Sequence, residues 1–395
     1  MTKIPTLCRG LSGLLLAGAA AVTSLPAANG DIPVFQATTI TQPGRYVVTR
    51  DITTQGDVVV IQTSGVTLDL NGHTITSMAG SGVVFDIPAL AGRVGPNEIV
   101  GGRIAGGDTG IKGVSLPAVQ LVIEKVGIVM PMFNCIDLPG SRLHVRGSVL
   151  QECGGDGIHM AGNGSGVLEV EDTLITDVQG SGIFGNAIEG AVVRGTTIRR
   201  FGLDTSADSG GVRMIAPGKI GLSVLDSVLA DGSARGAGLL LEMAGGVIPP
   251  VDIVGNAISG NGLSGIVLRN GVARITGNTI VGNFGNGITV DAAGIVTPTM
   301  ISGNSILKNA LNGMDHQAGS VRFNGNTVGG NTQDGVKVAG ERVLIENNFL
   351  EGNIGAGLRF LNGTGHAYRG NFARGNTGGD ILDLFGNTDA GGNIK

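Results

Sequence analysis

Lys112, Asp137, His159 and Arg213 fall at one phase of a repeating phrase in the chain, and Asp156 stands three residues before His159. These types supply a base, an acid and two cations. An acidic polysaccharide would require that set: cations neutralise the sugar carboxylate while a positioned base takes a proton. His159 titrates near neutral pH and so can serve as base or acid. Phe184 shares the phase between His159 and Arg213, and Asp204 and Asp208 lie in an insertion, Phe201 to Ser209, expected to overhang the charged face as a groove wall. The candidate catalytic residues are thus His159, Asp137, Lys112 and Arg213, with Asp156, Asp204, Asp208 and Phe184 as substrate contacts. A plainer reading stands beside this one. Alternating charge on adjacent strands is what a solvated sheet prefers, each cross-strand pair contributing about 0.2–1 kcal/mol. Arg146, Glu171 and Arg194 alternate in this way with no catalytic logic, next to His144 and Glu169.

The phase itself comes from an internal repeat. A phrase apolar-x-Gly-Asn-x-apolar places Asn at 256, 278, 304, 326, 348 and 371. Carried backwards with small or polar residues, the frame reaches Ser227, Thr196, Thr173, Ser148, Val126, Gly102 and His73. A second phrase, x-Gly-apolar, follows each first phrase, as in Gly157-Ile158 and Gly287-Ile288, and trails it by nine residues in ten of thirteen cases. The offset within a pair is fixed while the spacing between pairs runs from 22 to 31 residues. That is one tight corner and one permissive side. Alternation in Val272 to Gly277 and Ser320 to Asn324 marks strands with one wet face, and no segment keeps a 3.6-residue period. Short strands that cannot bury their apolar side alone must stack on their neighbours, which predicts an all-β solenoid of about thirteen coils and roughly 60 Å.

Five residues beyond each Asn of the C-terminal phrase lies another, at 261, 283, 309, 331, 353 and 376. These two columns are expected to be structural, with Asn tolerating left-handed corners and its amide bonding to the next coil. Cys153 shares the frame of the second column, whereas Cys135 sits four residues further round on the previous coil. The two are offset rather than stacked, which leaves their pairing open.

In these phrases the chain resembles the right-handed parallel β-helix proteins of the pectate-lyase-like superfamily, over roughly Gly44 to Lys395. The resemblance implies right-handed winding and a single-stranded parallel β-helix. It does not select an activity, since the superfamily holds lyases, hydrolases, epimerases, binding proteins and appendage proteins. The calcium site of its pectate lyases is not carried over, because Asp137 is flanked by Lys112 and His159 instead of further acids. Its polygalacturonase-like members carry paired aspartates and a Gly-His-Gly turn, and this chain has neither. Epimerase-like members use a Tyr with Asp and His, but the tyrosines here are Tyr46 and Tyr368, one in each end region.

Composition agrees with a corner-rich solenoid: 72 glycines in 395 residues, without a three-residue period and with 13 prolines, exclude collagen. Hydrophobic residues at 42% against 14% charged argue against disorder. The net charge of -5 and the lack of a basic tract argue against a nucleic-acid partner. No Cys/His zinc spacing, P-loop or dinucleotide fingerprint appears, so no metal or cofactor is implied. Lys3 and Arg9, the apolar run Leu11 to Val22 and the small residues Ala28-Asn29-Gly30 read as a signal peptide over 1–30, cut after Gly30, with one β-helix domain over 31–395. The run is too short to span a membrane, and secretion or a periplasmic location is expected. Tyr46 to Ile52 is expected to cap the N-terminal end, and Asp380 to Lys395 to close the other. Three functions remain open: a carbohydrate-active enzyme, lyase or related, acting on an acidic polysaccharide; a non-catalytic envelope protein that binds glycan or acts as a spacer; and, as the resemblance also allows, a periplasmic accessory β-helix linked to copper delivery, against which the lack of His or Met clusters counts. Nothing in the residues fixes the oligomeric state.

Overall fold

The computed structural model describes residues 30–88, 95–114, 120–162, 164–204, 208–243, 251–362 and 365–395. The expected leader, Cys8 included, lies outside them apart from Gly30. Every strand pairing among the described residues is parallel, and each coil adds one rung to each of three stacked faces. In one coil these are Arg142–Arg146, Val149–Gln151 and Ile158–Ala161. The first two faces belong to one sheet, joined where Asn97–Gly106 and Gln120–Val129 run through both without a break. The third face is a separate sheet of 15 strands.

The register follows the repeat. Val83, Ile111, Ile136, Ile158, Ile183, Val212, Leu239, Ile266, Ile288, Met314, Val336, Leu358 and Ile381 pair in succession on the third face. All but Ile381 are buried, so this column forms one wall of the core and the residue after each one points outward. The third face is two rungs longer than expected at the N-terminus, where Thr38–Ile40 and Val59–Ile61 precede Val83. Tyr46 is accordingly not part of a cap. Gly44–Val48 lies between Ile32–Val34 and Val66–Asp69. At the C-terminal end the tail adds parallel pairings, with Thr388–Asp389 on Ala367–Arg369 and Ile394 bridging to Phe372.

Corners explain the repeat's spelling. The residue before each first-column position has positive φ, among them Gly101, Lys125, Asp172, Gly255, Gly303 and Asn347. The left-handed conformation therefore belongs to the Gly of Gly-Asn and not, as expected, to the Asn. The amide's role is as anticipated. Asn304 Oδ1 accepts both the backbone N–H and the side-chain N–H of Asn278, while Asn304 Nδ2 donates to Ile275 O and to Asn326 Oδ1. The column continues to Asn393 at one end, and through Ser227 back to Thr196 at the other.

Cys135 and Cys153 form a disulfide. In later coils the Gly of the second phrase faces the second-column Asn of the next coil: a Cβ on Gly238 would lie 3.0 Å from Asn261 Nδ2, and one on Gly357 2.7 Å from Asn376 Nδ2. Cys135 takes that Gly position and Cys153 that Asn position, so the offset that left pairing open is the direction in which the two side chains meet. An Asn at 153 would also lack its ladder donor, because the preceding rung presents Pro131, which has no N–H.

Candidate functional site

A third polar ladder lies in the turn that leads into the third face. Asn134 Oδ1 accepts the Asp156 N–H, Asp156 Oδ1 accepts the Ser181 N–H and Ser181 Oγ accepts the Gly210 N–H. The pattern resumes with Ser264, Asn286, Asn312 and Asp334, which serves Ala356. One side-chain atom of each residue satisfies a turn N–H that stacking would otherwise strand. Where Asn or Asp holds the position, a second polar atom can orient the outward residue three positions on. Asn134 Nδ2 donates to Asp137 Oδ2 (3.3 Å), Asn286 Nδ2 donates to Thr289 Oγ1 (3.1 Å), and Asp156 Oδ2 lies 2.7 Å from His159 Nδ1.

The sequence-derived column is realised rung by rung: Lys112 pairs with Asp137, Asp137 with His159, His159 with Phe184 and Phe184 with Arg213. Successive members are therefore about 4.8 Å apart. A carboxylate that is ionised only accepts, so in this pair His159 donates from Nδ1 to Asp156, and Nε2 takes no part in that hydrogen bond. That hydrogen bond raises the pKa of His159, opposed by partial burial and assisted by the charges of Asp156 and Asp137. The imidazole stacks on Phe184 with centroids 4.8 Å apart, and the Arg213 guanidinium lies 5.6 Å from the same ring's centroid. Phe184 is thus packed between its two rung neighbours, a buttress for His159.

Arg213 is itself held. Its Nη1 donates to the Asp208 carbonyl (2.7 Å), and its Nη2 is 3.4 Å from Glu242, which also pairs with Arg269. The Asp208 carboxylate binds Arg235 at 2.8 Å and approaches Arg269 at 3.9 Å. Asp208 therefore braces the Arg213 end of the row from later coils. Phe201, expected at the start of the overhanging loop, is fully buried in the second-column position, against Gly232 and Gly236. Gly202, Leu203 and Asp204 hang by their N–H groups on the preceding coil, Asp204 on Gln179 O. Lys112 forms no ion pair among the described residues and is the uncommitted cation of the row.

Beyond Arg213 the outward column turns apolar. Leu240 and Val267 are buried with Ala237 in a small cluster outside the main core, with Leu263 packed against it. The candidate site is thereby bounded to the rungs of Lys112 through Arg213. Sequence reasoning missed the turn ladder, because Asn, Asp and Ser share the task. A readable signal exists: Asn134-Cys135-Ile136-Asp137, Asp156-Gly157-Ile158-His159 and Asn286-Gly287-Ile288-Thr289 share one form.

A family model described as a right handed beta helix region matches residues 134–315. With the parallel stacking already described, this decides the architecture and its hand. The fold is a right-handed parallel β-helix. Among solved structures, the β-helix is similar to a periplasmic alginate epimerase at 14% identity and TM-score 0.45, covering 92% of this chain and 83% of that one. It is similar to the A-module of a mannuronan C-5 epimerase from Azotobacter vinelandii at 13% identity and TM-score 0.44, covering 89% and 91%. A pectate lyase is similar at 13% identity and TM-score 0.40, covering 81% and 70%. No curated protein sequence matches the chain. No helix among the described residues is long and apolar enough to cross a membrane.

Proposed function

We propose that this β-helix is an exported carbohydrate-active enzyme that acts on an acidic polysaccharide by proton abstraction beside the uronate carboxylate. The observation that carries the reading is the Asp156–His159 hydrogen bond on the outward face, one rung from Asp137 and two from the uncommitted Lys112. In this reading Lys112 meets the sugar carboxylate and lowers the cost of the developing charge. Neutral His159 takes the adjacent ring proton at Nε2, and the C4–O bond to the next sugar breaks as a C4–C5 double bond forms. The leaving oxygen takes a proton from the imidazolium or from solvent. Asp137 carries charge towards His159, Phe184 and Arg213 fix the imidazole's tilt, and Asp204 and Asp208 belong to the segment that borders the row. Cleavage after Gly30 would release the 31–395 domain to the periplasm or the medium.

A second reading, a non-catalytic glycan-binding or spacer protein, is favoured by the occupancy of Arg213, Glu242, Arg269, Arg235 and Asp208 by one another. Purified protein and His159→Ala, incubated with a panel of uronic-acid polymers while unsaturated-product absorbance is followed, separate the two. Turnover that His159→Ala abolishes supports the enzyme. Silence across the panel, or turnover indifferent to that substitution, removes the proposed site, and glycan-array binding without turnover supports the second reading.

A further inference from the structure

A second group of ligating side chains lies on the first face, away from the His159 row. His144 on Arg142–Arg146 pairs in register with Glu169 of Val167–Glu171, and Glu171 follows on the same outward side. The imidazole Nδ1 is 3.9 Å from Glu169 Oε2, and Nε2 is 3.5 Å from Glu171 Oε2. One ligand atom from each residue lies within 4.8 Å of the other two. These separations are longer than the usual hydrogen bond, and His144 Nε2 is buried without a hydrogen-bond partner.

The neighbouring cations do not claim the carboxylates. Arg146 stands opposite Glu171 in the ladder yet donates to Glu124 on the preceding coil. Arg194 stands opposite Glu171 on the following coil and forms no ion pair among the described residues. Two carboxylates and an imidazole therefore converge with an orphaned nitrogen and no guanidinium between them. Buried and half-buried polar atoms left in that state are costly unless a further partner arrives.

We propose that His144, Glu169 and Glu171 form a binding site for a first-row divalent cation of the zinc type, which ties two neighbouring coils together. Bonds of about 2.0–2.2 Å in a tetrahedron place ligand atoms roughly 3.3–3.6 Å apart, so the present spacing closes with small side-chain rotations, chiefly of Glu169, the most exposed of the three. Calcium takes 6–8 oxygens, about 2.3–2.6 Å away, and gains little from an imidazole, whereas imidazole with carboxylate suits zinc. Three protein ligands leave a fourth position for water.

Titration of the purified full chain with zinc chloride tests this by calorimetry and thermal unfolding, with calcium chloride as the comparison and His144→Ala, Glu171→Gln and His159→Ala as variants. One zinc per chain is expected, with a rise in unfolding temperature that calcium does not reproduce. His144→Ala and Glu171→Gln should each weaken zinc binding by more than about tenfold and abolish the rise, and His159→Ala should preserve both. The proposal is overturned by the absence of a zinc-dependent shift, by its persistence in both first-face variants, or by its loss only in His159→Ala. Glu171→Gln keeps the side chain's size, so the test survives if His144→Ala folds poorly.

Discussion

Asp156 serves two partners at once: its Oδ1 accepts the Ser181 N–H at 2.6 Å while its Oδ2 lies 2.7 Å from His159 Nδ1. Stacking of the turns thereby sets the orientation of the imidazole. Asp156→Asn keeps an oxygen for the ladder but removes the charge facing His159. The expected result is a fall in the His159 pKa towards the ordinary histidine value of about 6.5, read by NMR titration, with a small change in unfolding midpoint. An unchanged His159 titration would show that the pair does not couple.

If His159 acts as the base, its raised pKa dictates the sign of the rate profile. The imidazole is competent only when neutral, so the rate on the substrate should rise with pH through a midpoint above about 6.5. Asp156→Asn should move that midpoint down while lowering the plateau, measured as kcat/KM against pH.

The Asn ladders carry stability. Asn304→Ala would take from a buried column the acceptor of the Asn278 backbone and side-chain N–H groups and the amide donor to the Ile275 carbonyl, while Asn326 Oδ1 keeps the backbone N–H of residue 304. A cost of about 2–5 kcal/mol is expected from several orphaned groups, read from urea unfolding. Ser302→Ala, at a half-buried outward position two residues earlier, removes a single hydroxyl contact with Thr276 and should cost far less.

Reduction of the Cys135–Cys153 disulfide, which spans 18 residues of sequence, should lower stability by about 3 kcal/mol on the chain-entropy account. The measurement is unfolding with and without reductant, compared with a Cys135→Ala, Cys153→Ala double variant that should no longer respond to it.

Acid should weaken the C-terminal coils. His316 replaces an aliphatic residue between Val290 and Val338 in the core, and burial lowers its pKa, as it does that of His366. A folded-state pKa below the unfolded value means that the unfolded chain takes up protons the folded chain refuses, so their contribution is lost as pH falls below about 6.5. His159 acts oppositely, since its raised pKa adds stability below about 6.5 that disappears as pH rises through the folded value. His316→Val should flatten the acid limb of stability against pH without changing the limb set by His159.

The register of the third face was legible in the sequence because each rung repeats the same demand: a small residue at the corner, then an apolar one facing the core. Thus Lys112, Asp137, His159, Phe184 and Arg213 could be aligned without coordinates. What stayed hidden depended on contacts between non-equivalent positions. Cys135 meets Cys153 along the Gly-to-Asn direction, and Phe201 turns into the core where an Asn would otherwise stand. The two extra rungs at Thr38–Ile40 and Val59–Ile61 lack the Gly-Asn corner, as end rungs stack on one side only or meet irregular neighbours. The turn ladder was hidden because any short side-chain oxygen can accept its N–H.

In the proposed function uronate meets the protein at His159. The chain has five histidines, at 73, 144, 159, 316 and 366, so their ring resonances can be resolved individually by substitution. Titrating an oligouronate into the protein and following those resonances should perturb His159 first and leave His144, His316 and His366 unmoved. Perturbation of His144 with His159 silent, or no perturbation by any oligouronate at millimolar concentration, would exclude uronate recognition at His159.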